Sequence, residues 1–134
     1  MTGVTRTVIA VAVAAAATAC GGGGGSTPSS PTPTPAPTGS SSATITITSS
    51  GVSPNAVTVT AGSRVTFTNN DTRNHDMASN PHPEHSNCPP INDVGFLTPG
   101  QSKMTGNLNT VRTCGFHDHD QPSNQSLQGT ITIQ

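Results

Sequence analysis

The chain has 134 residues, five Lys plus Arg against six Asp plus Glu, and a formal net charge of −1. Nothing in that balance is basic enough for a nucleic-acid binder. Aromatic content is 2%, with three Phe and neither Trp nor Tyr, so large rings cannot supply the core and β-branched residues are expected to.

In chain order, residues 1–19 read as an export leader. Arg6 gives a small positive start, Val8 to Ala17 is apolar and Ala-rich, and small residues lead into Ala17-Thr-Ala-Cys20. The apolar run is too short to span a bilayer, which takes about 20 residues, and its layout is that of a secretory signal. With a cysteine at the cleavage point it resembles a bacterial lipoprotein signal, although Ala17 stands where that pattern prefers Leu. The resemblance implies lipidation at Cys20, and Gly21 after it favours the outer membrane of a double-membrane cell; the plain secretory alternative leaves Cys20 free. Either way the protein is exported, as a periplasmic or cell-surface domain. Residues 20–42 hold five consecutive Gly and Pro31-Thr-Pro-Thr-Pro-Ala-Pro37, a composition that buries nothing and serves as a spacer.

Residues 43–134 make one small domain, marginal by surface-to-volume scaling and in need of a staple. Thr44-Ile-Thr-Ile-Thr48, Val57-Thr-Val-Thr60, Val65-Thr-Phe-Thr68 and Thr130-Ile-Thr-Ile133 alternate apolar residues with Thr, which predicts strands with one buried face. Turn signals separate them at Gly51, Ser53-Pro54-Asn55, Ala61-Gly62-Ser63, Asn69-Asn70-Asp71 and Pro99-Gly100. The pattern predicts an all-β sandwich. From Asn74 to Pro99 no strand pattern is visible, and structureless loops of that length are usually functional.

All five histidines fall in two groups. His75, His82 and His85 lie in the long loop near Cys88; His117 and His119 follow Cys114 in Cys114-Gly-Phe-His-Asp-His119. Neutral imidazole is the commonest metal ligand and suits copper, zinc, iron and nickel, so the two groups predict one metal site built from two segments. If residues 117–119 are extended, His117 and His119 share a face and Asp118 points away, to a hydrogen bond or to the surface.

The order of elements resembles the cupredoxins, the blue-copper Greek-key β-sandwich family. Residues Val57 to Asn70 are similar to the paired strands before that family's first ligand, and His75 falls at that ligand's position. Leu97-Thr-Pro-Gly-Gln-Ser102 resembles a characteristic turn, Cys114-Gly-Phe-His117 the Cys-x-x-His ligand pair, and Leu127-Gln-Gly-Thr-Ile131 the closing strand, with Leu127 where an axial Met is expected. Phe116-His-Asp-His-x-x-Pro122 with Pro81-His-Pro-Glu-His85 is similar to a variant in which the cysteine position need not be a ligand. The resemblance implies copper as the cofactor.

Two chemistries then compete for Cys114. Two cysteines in an exported domain are more often paired than free, and a Cys88–Cys114 bridge supplies the staple. His75 and His117 then hold the ion, joined by His119, His82 or His85. The alternative is a type 1 copper site of His75, Cys114 and His117, which leaves Cys88 an unpaired thiol. The reading leans to the disulfide, hence to a membrane-tethered copper-binding protein for sequestration or delivery rather than an enzyme, engaging a copper donor or acceptor. The thiolate alternative is a blue-copper electron carrier with redox partners. A superoxide-dismutase-like enzyme, suggested by Gly115-Phe-His-Asp-His119, is the weaker option because no His follows; a metal-free binding module is another.

Overall fold

The structure, a computed structural model, describes residues 39–134. The leader at 1–19, Cys20 and the spacer through residue 38 lie outside the described residues. Eight strands follow: β1 (Ser40–Thr48), β2 (Gly51–Ser53), β3 (Ala56–Asn69), β4 (His75–Ser79), β5 (Gly95–Leu97), β6 (Ser102–Met104), β7 (Arg112–Asp118) and β8 (Gly129–Ile133). Short 3-10 turns occupy Pro89–Asp93 and Gln125–Leu127, and there is no α-helix among the described residues. Strand β1 opens at Ser40, inside the stretch expected to be spacer.

The sheet runs β2-β1-β3-β8-β7-β4-β5, with β6 on β3. Strand β3 makes it a sandwich. Its first residues, Ala56–Val59, lie parallel to β8, while Arg64–Asn69 lie parallel to β1 and Thr66–Thr68 take β6 antiparallel. Between the halves, Gly62 sits at φ 87° and the β1 register jumps from Ser40↔Val59 to Ser42↔Arg64. The expected turn at Ala61-Gly62-Ser63 is therefore a bulge inside one 14-residue strand. Its left-handed residue, which favours Gly, bends the strand so that each half serves a different layer.

The alternating Thr runs behave as expected. Ile45, Ile47, Val59, Val65, Phe67, Ile131 and Ile133 face inward while the intervening Thr side chains face out or half out. The core is broader than β-branched residues alone: Met77, Leu97, Leu108, Leu127 and Phe116 join it, and Phe67 meets Phe116 edge-on with ring centroids 5.1 Å apart. The stretch from Asn74 to Pro99 is not structureless, since it contributes β4, a 3-10 turn and β5, leaving an irregular loop at residues 80–88.

The staple is present. Cys88 and Cys114 form a disulfide with Cα atoms 5.8 Å apart, joining that loop to β7.

Candidate metal centre

The second histidine group is placed by β7. This strand is held on one side by β8 and on the other by β4, with Ala78 opposite His117 and Met77 opposite Asp118. Alternation turns Cys114, Phe116 and Asp118 inward, all essentially inaccessible, and sends His117 to the other face. The pairing continues past the strand end, where the His119 amide donates to the Asp76 carbonyl at 2.6 Å. His119 thus keeps the side of His117, as its spacing predicts.

Residues 80–88 bring the other pair over this face. The loop is pinned at its root: the Asn80 amide donates to the Gly115 carbonyl (2.9 Å), the Asn87 amide to the Asn80 carbonyl (2.9 Å), and Cys88 is covalently tied to Cys114. At its tip His85 adopts φ 50°, unusual for a side-chain-bearing residue. That conformation is stabilised where the His85 carbonyl accepts from Ser79 Oγ (2.8 Å) and Asn92 Nδ2 (2.9 Å) and its amide donates to the Pro81 carbonyl (2.7 Å). Strain fixed in this way is characteristic of functional sites.

The result is a group of four imidazoles. Each of His82, His85, His117 and His119 offers a ring nitrogen, all within 4.8 Å of one another. His119 Nδ1 and His85 Nε2 are 3.2 Å apart. Exposure is graded: His117 is buried, His85 and His119 are half-buried, and His82 is exposed.

His117 is set for a Lewis-acid partner. Its Nδ1 donates to Asn80 Oδ1 at 2.6 Å, which leaves the Nε2 lone pair free. That Nε2 is buried and has no hydrogen-bond partner. Burial, then the neighbouring imidazoles of His85, His82 and His119, push the His117 pKa below its ordinary value, against a smaller opposing pull from Asp118. Burial, then His119 and His82, push His85 down as well. Metal ligation requires neutral imidazole, and a ligating His usually gives its other N–H to an oxygen, as His117 does to Asn80. Two nitrogens on one ion at about 2.0–2.1 Å each cannot be more than about 4.2 Å apart. The widest separation therefore has to shrink by at least about 0.6 Å, and by more for nitrogens that are not opposite each other on the ion; exposed His82 is the ring with most room to move.

The structure places His75 elsewhere. It opens β4 and is fully buried, with Nδ1 2.7 Å from Asp118 Oδ2 and Nε2 3.1 Å from Asp71 Oδ2. Arg73 reaches the same Asp71 oxygen through Nη2 at 2.9 Å and Nε at 3.0 Å. Burial acts to raise the Asp71 pKa, but the Thr72 amide, the Arg73 guanidinium and the His75 ring together bring it down to about 2. The pairing of His75 with His117 as ligands, expected from their positions, is not what the geometry assembles, because both His75 nitrogens already face carboxylates. Nor does the trio His75, Cys114 and His117 come together: Cys114 is bonded to Cys88. Leu127 is part of the hydrophobic core. The contacts of Asn80 with His117 and of Asp71 with His75 were missed by the sequence reading; the signal at hand was Asn80 directly before the Pro81-His-Pro-Glu-His85 run.

No protein-family model matches the chain, and no curated protein matches it. Solved structures do. A purple cupredoxin from Nitrosopumilus maritimus is 18% identical with a TM-score of 0.53, covering 69% of this chain and 99% of its own. A reduced auracyanin from Roseiflexus castenholzii is 18% identical with a TM-score of 0.55, covering 72% and 98%. Plastocyanin from Dryopteris crassirhizoma is 19% identical with a TM-score of 0.53, covering 68% and 99%. At such identities the likeness is one of fold, and the fold of residues 39–134 is cupredoxin-like.

Proposed function

We propose that this is an exported, membrane-tethered copper-binding protein that holds Cu(II) through His82, His85, His117 and His119, in copper sequestration or delivery. The observation that carries the reading is the buried, partnerless Nε2 of His117, tautomer-fixed by Asn80 and facing three further imidazoles. A buried polar atom without a partner is costly, and an ion removes that cost. Imidazole sets suit copper and zinc alike; copper stands highest among the divalent ions at nitrogen sites, and one structural neighbour is a cupredoxin by name, the family whose resemblance implies copper.

His82, His85, His117 and His119 would hold the ion, which would supply a Lewis acid there, and the chain's own residues orient those donors. His117 forms the fixed floor and His85 the strained wall, while exposed His82 offers a route for handing the ion to a donor or acceptor protein. With Cys114 in a disulfide there is no thiolate for a type 1 site, so rapid electron transfer is the weaker reading. We read the group as a binding centre rather than the active site of an enzyme. Lipidation of Cys20, with the spacer to residue 42, would hold the domain off a membrane, the outer one by preference.

Equilibrium titration of the mature protein with Cu(II) tests the proposal. One ion per chain, with affinity collapsing in His85→Ala/His117→Ala, is expected; full-strength binding in that double variant removes the reading.

A further inference from the structure

We infer that His75 is a positioning residue for the four-imidazole centre, clamping Asp118 from behind so that His117 and His119 are presented at fixed spacing. The inference rests on that centre being the metal site, and it assigns His75 a role other than ligand.

Asp118 ends β7 between His117, in the strand, and His119, just past it, and its side chain leaves by the opposite face. Its Oδ2 takes the His75 Nδ1 contact at 2.7 Å, and its Oδ1 accepts from the amides of Asp76 (3.2 Å) and Asp120 (3.1 Å). One carboxylate therefore joins the start of β4 to the turn in which β7 ends. It does so at the point where the Asp76 carbonyl also receives the His119 amide.

His75 is in turn held from its far side. Asp71 Oδ2 takes its Nε2, and Arg73 closes on that same oxygen. The Asp71 amide donates to Asn69 Oδ1 (2.9 Å), while Asn69 Nδ2 donates to the carbonyls of Arg73 (2.8 Å) and Leu97 (3.1 Å). The chain Arg73–Asp71–His75–Asp118 thus runs from the surface to the back of the ligand strand, with every His75 ring nitrogen engaged. Both ring nitrogens therefore face a carboxylate oxygen. In some proteins buried polar networks of this kind are kept for the geometry they specify. Here the geometry specified is that of the two ligands flanking Asp118.

The test uses the full mature protein and Cu(II) alone, with affinity read by chelator competition and coordination by frozen-solution electron paramagnetic resonance. Asp118→Asn keeps an oxygen for the two amides but removes the second acceptor that faces His75. The expected result is a 10–100-fold weaker Cu(II) affinity, one-to-one stoichiometry, and shifted g and hyperfine values. If Asp118→Asn does not fold, Asp71→Asn decides, with a smaller loss and the same spectral change expected. Wild-type affinity and spectrum in a folded variant, or lower thermal stability with an unchanged spectrum, overturns the positioning role. Failure of the wild-type protein to bind Cu(II), or binding indifferent to His85 and His117, overturns the metal centre instead.

Discussion

Asn80 Oδ1 lies 2.6 Å from His117 Nδ1, and this contact decides which nitrogen of His117 is free. It ties the irregular loop to the ligand strand through the same residue whose amide is bonded to Gly115. A Cβ added at Gly115 would run into the Asn80 side-chain amide.

Two substitutions should therefore act on the metal without touching a ligand. Asn80→Ala is expected to weaken Cu(II) binding about 10–100-fold, the usual cost of losing a partner behind a ligating His. Gly115→Ala should act in the same direction by displacing Asn80. Chelator competition checks both, and an unchanged affinity in Asn80→Ala would show that the tautomer is set by something else.

Reduction should release the loop. The Cys88–Cys114 bridge closes 26 residues of sequence, worth about 3–4 kcal/mol in the chain-entropy estimate. Protein denatured without reductant should show no thiol from these two residues, whereas reduced protein should show both and unfold at lower denaturant. Copper affinity should fall with it, because His82 and His85 ride on the released segment. Two free thiols in the untreated protein would return Cys114 to the list of ligands.

Acid should weaken the metal-free fold in two steps. His117 and His85 titrate below the ordinary imidazole value, so as pH falls below about 6.5 the unfolded chain takes up protons first. The stability these neutral rings supply is full above that value and is lost as pH falls through their depressed folded-state values. Asp71, brought down to about 2 from its ordinary 3.8, contributes fully above 3.8 and loses that contribution as pH falls toward 2. Urea midpoints measured from neutral to acid pH should decline in the first window, and decline less in His85→Ala/His117→Ala. A midpoint that rises there contradicts the assignment.

The tether has its own test. On the proposed lipidation, Cys20→Ala should release the domain from the membrane fraction or block its processing, since acylation would supply the anchor. Unchanged membrane association in that variant would sink the lipid anchor and leave the metal centre standing.

Much of this was legible in the sequence, for physical reasons that also explain what was not. Strands with one wet face announce themselves by alternation, as Thr44–Thr48 and Thr130–Ile133 do. Strands β4 and β7 are covered on both faces over much of their length and carry His, Asp, Ser and Gly, so neither period two nor an apolar run marks them. Most of their buried polar atoms are satisfied by hydrogen bonds, His117 Nε2 excepted, and a partner such as Asp118 for His75 is distant in sequence. The pairing of His117 with His119 followed from spacing alone. The fate of His75 did not: a buried imidazole between carboxylates and a ligating one look identical in sequence, and only the fold brings Asp118 to its Nδ1.

The central claim is that four imidazoles and no thiolate form the metal centre. Optical and electron paramagnetic resonance spectra of the Cu(II)-loaded protein address it most directly. The account predicts a pale complex with nitrogen hyperfine coupling and no intense visible band, lost in His85→Ala/His117→Ala. An intense blue or red colour abolished by Cys114→Ser would contradict it.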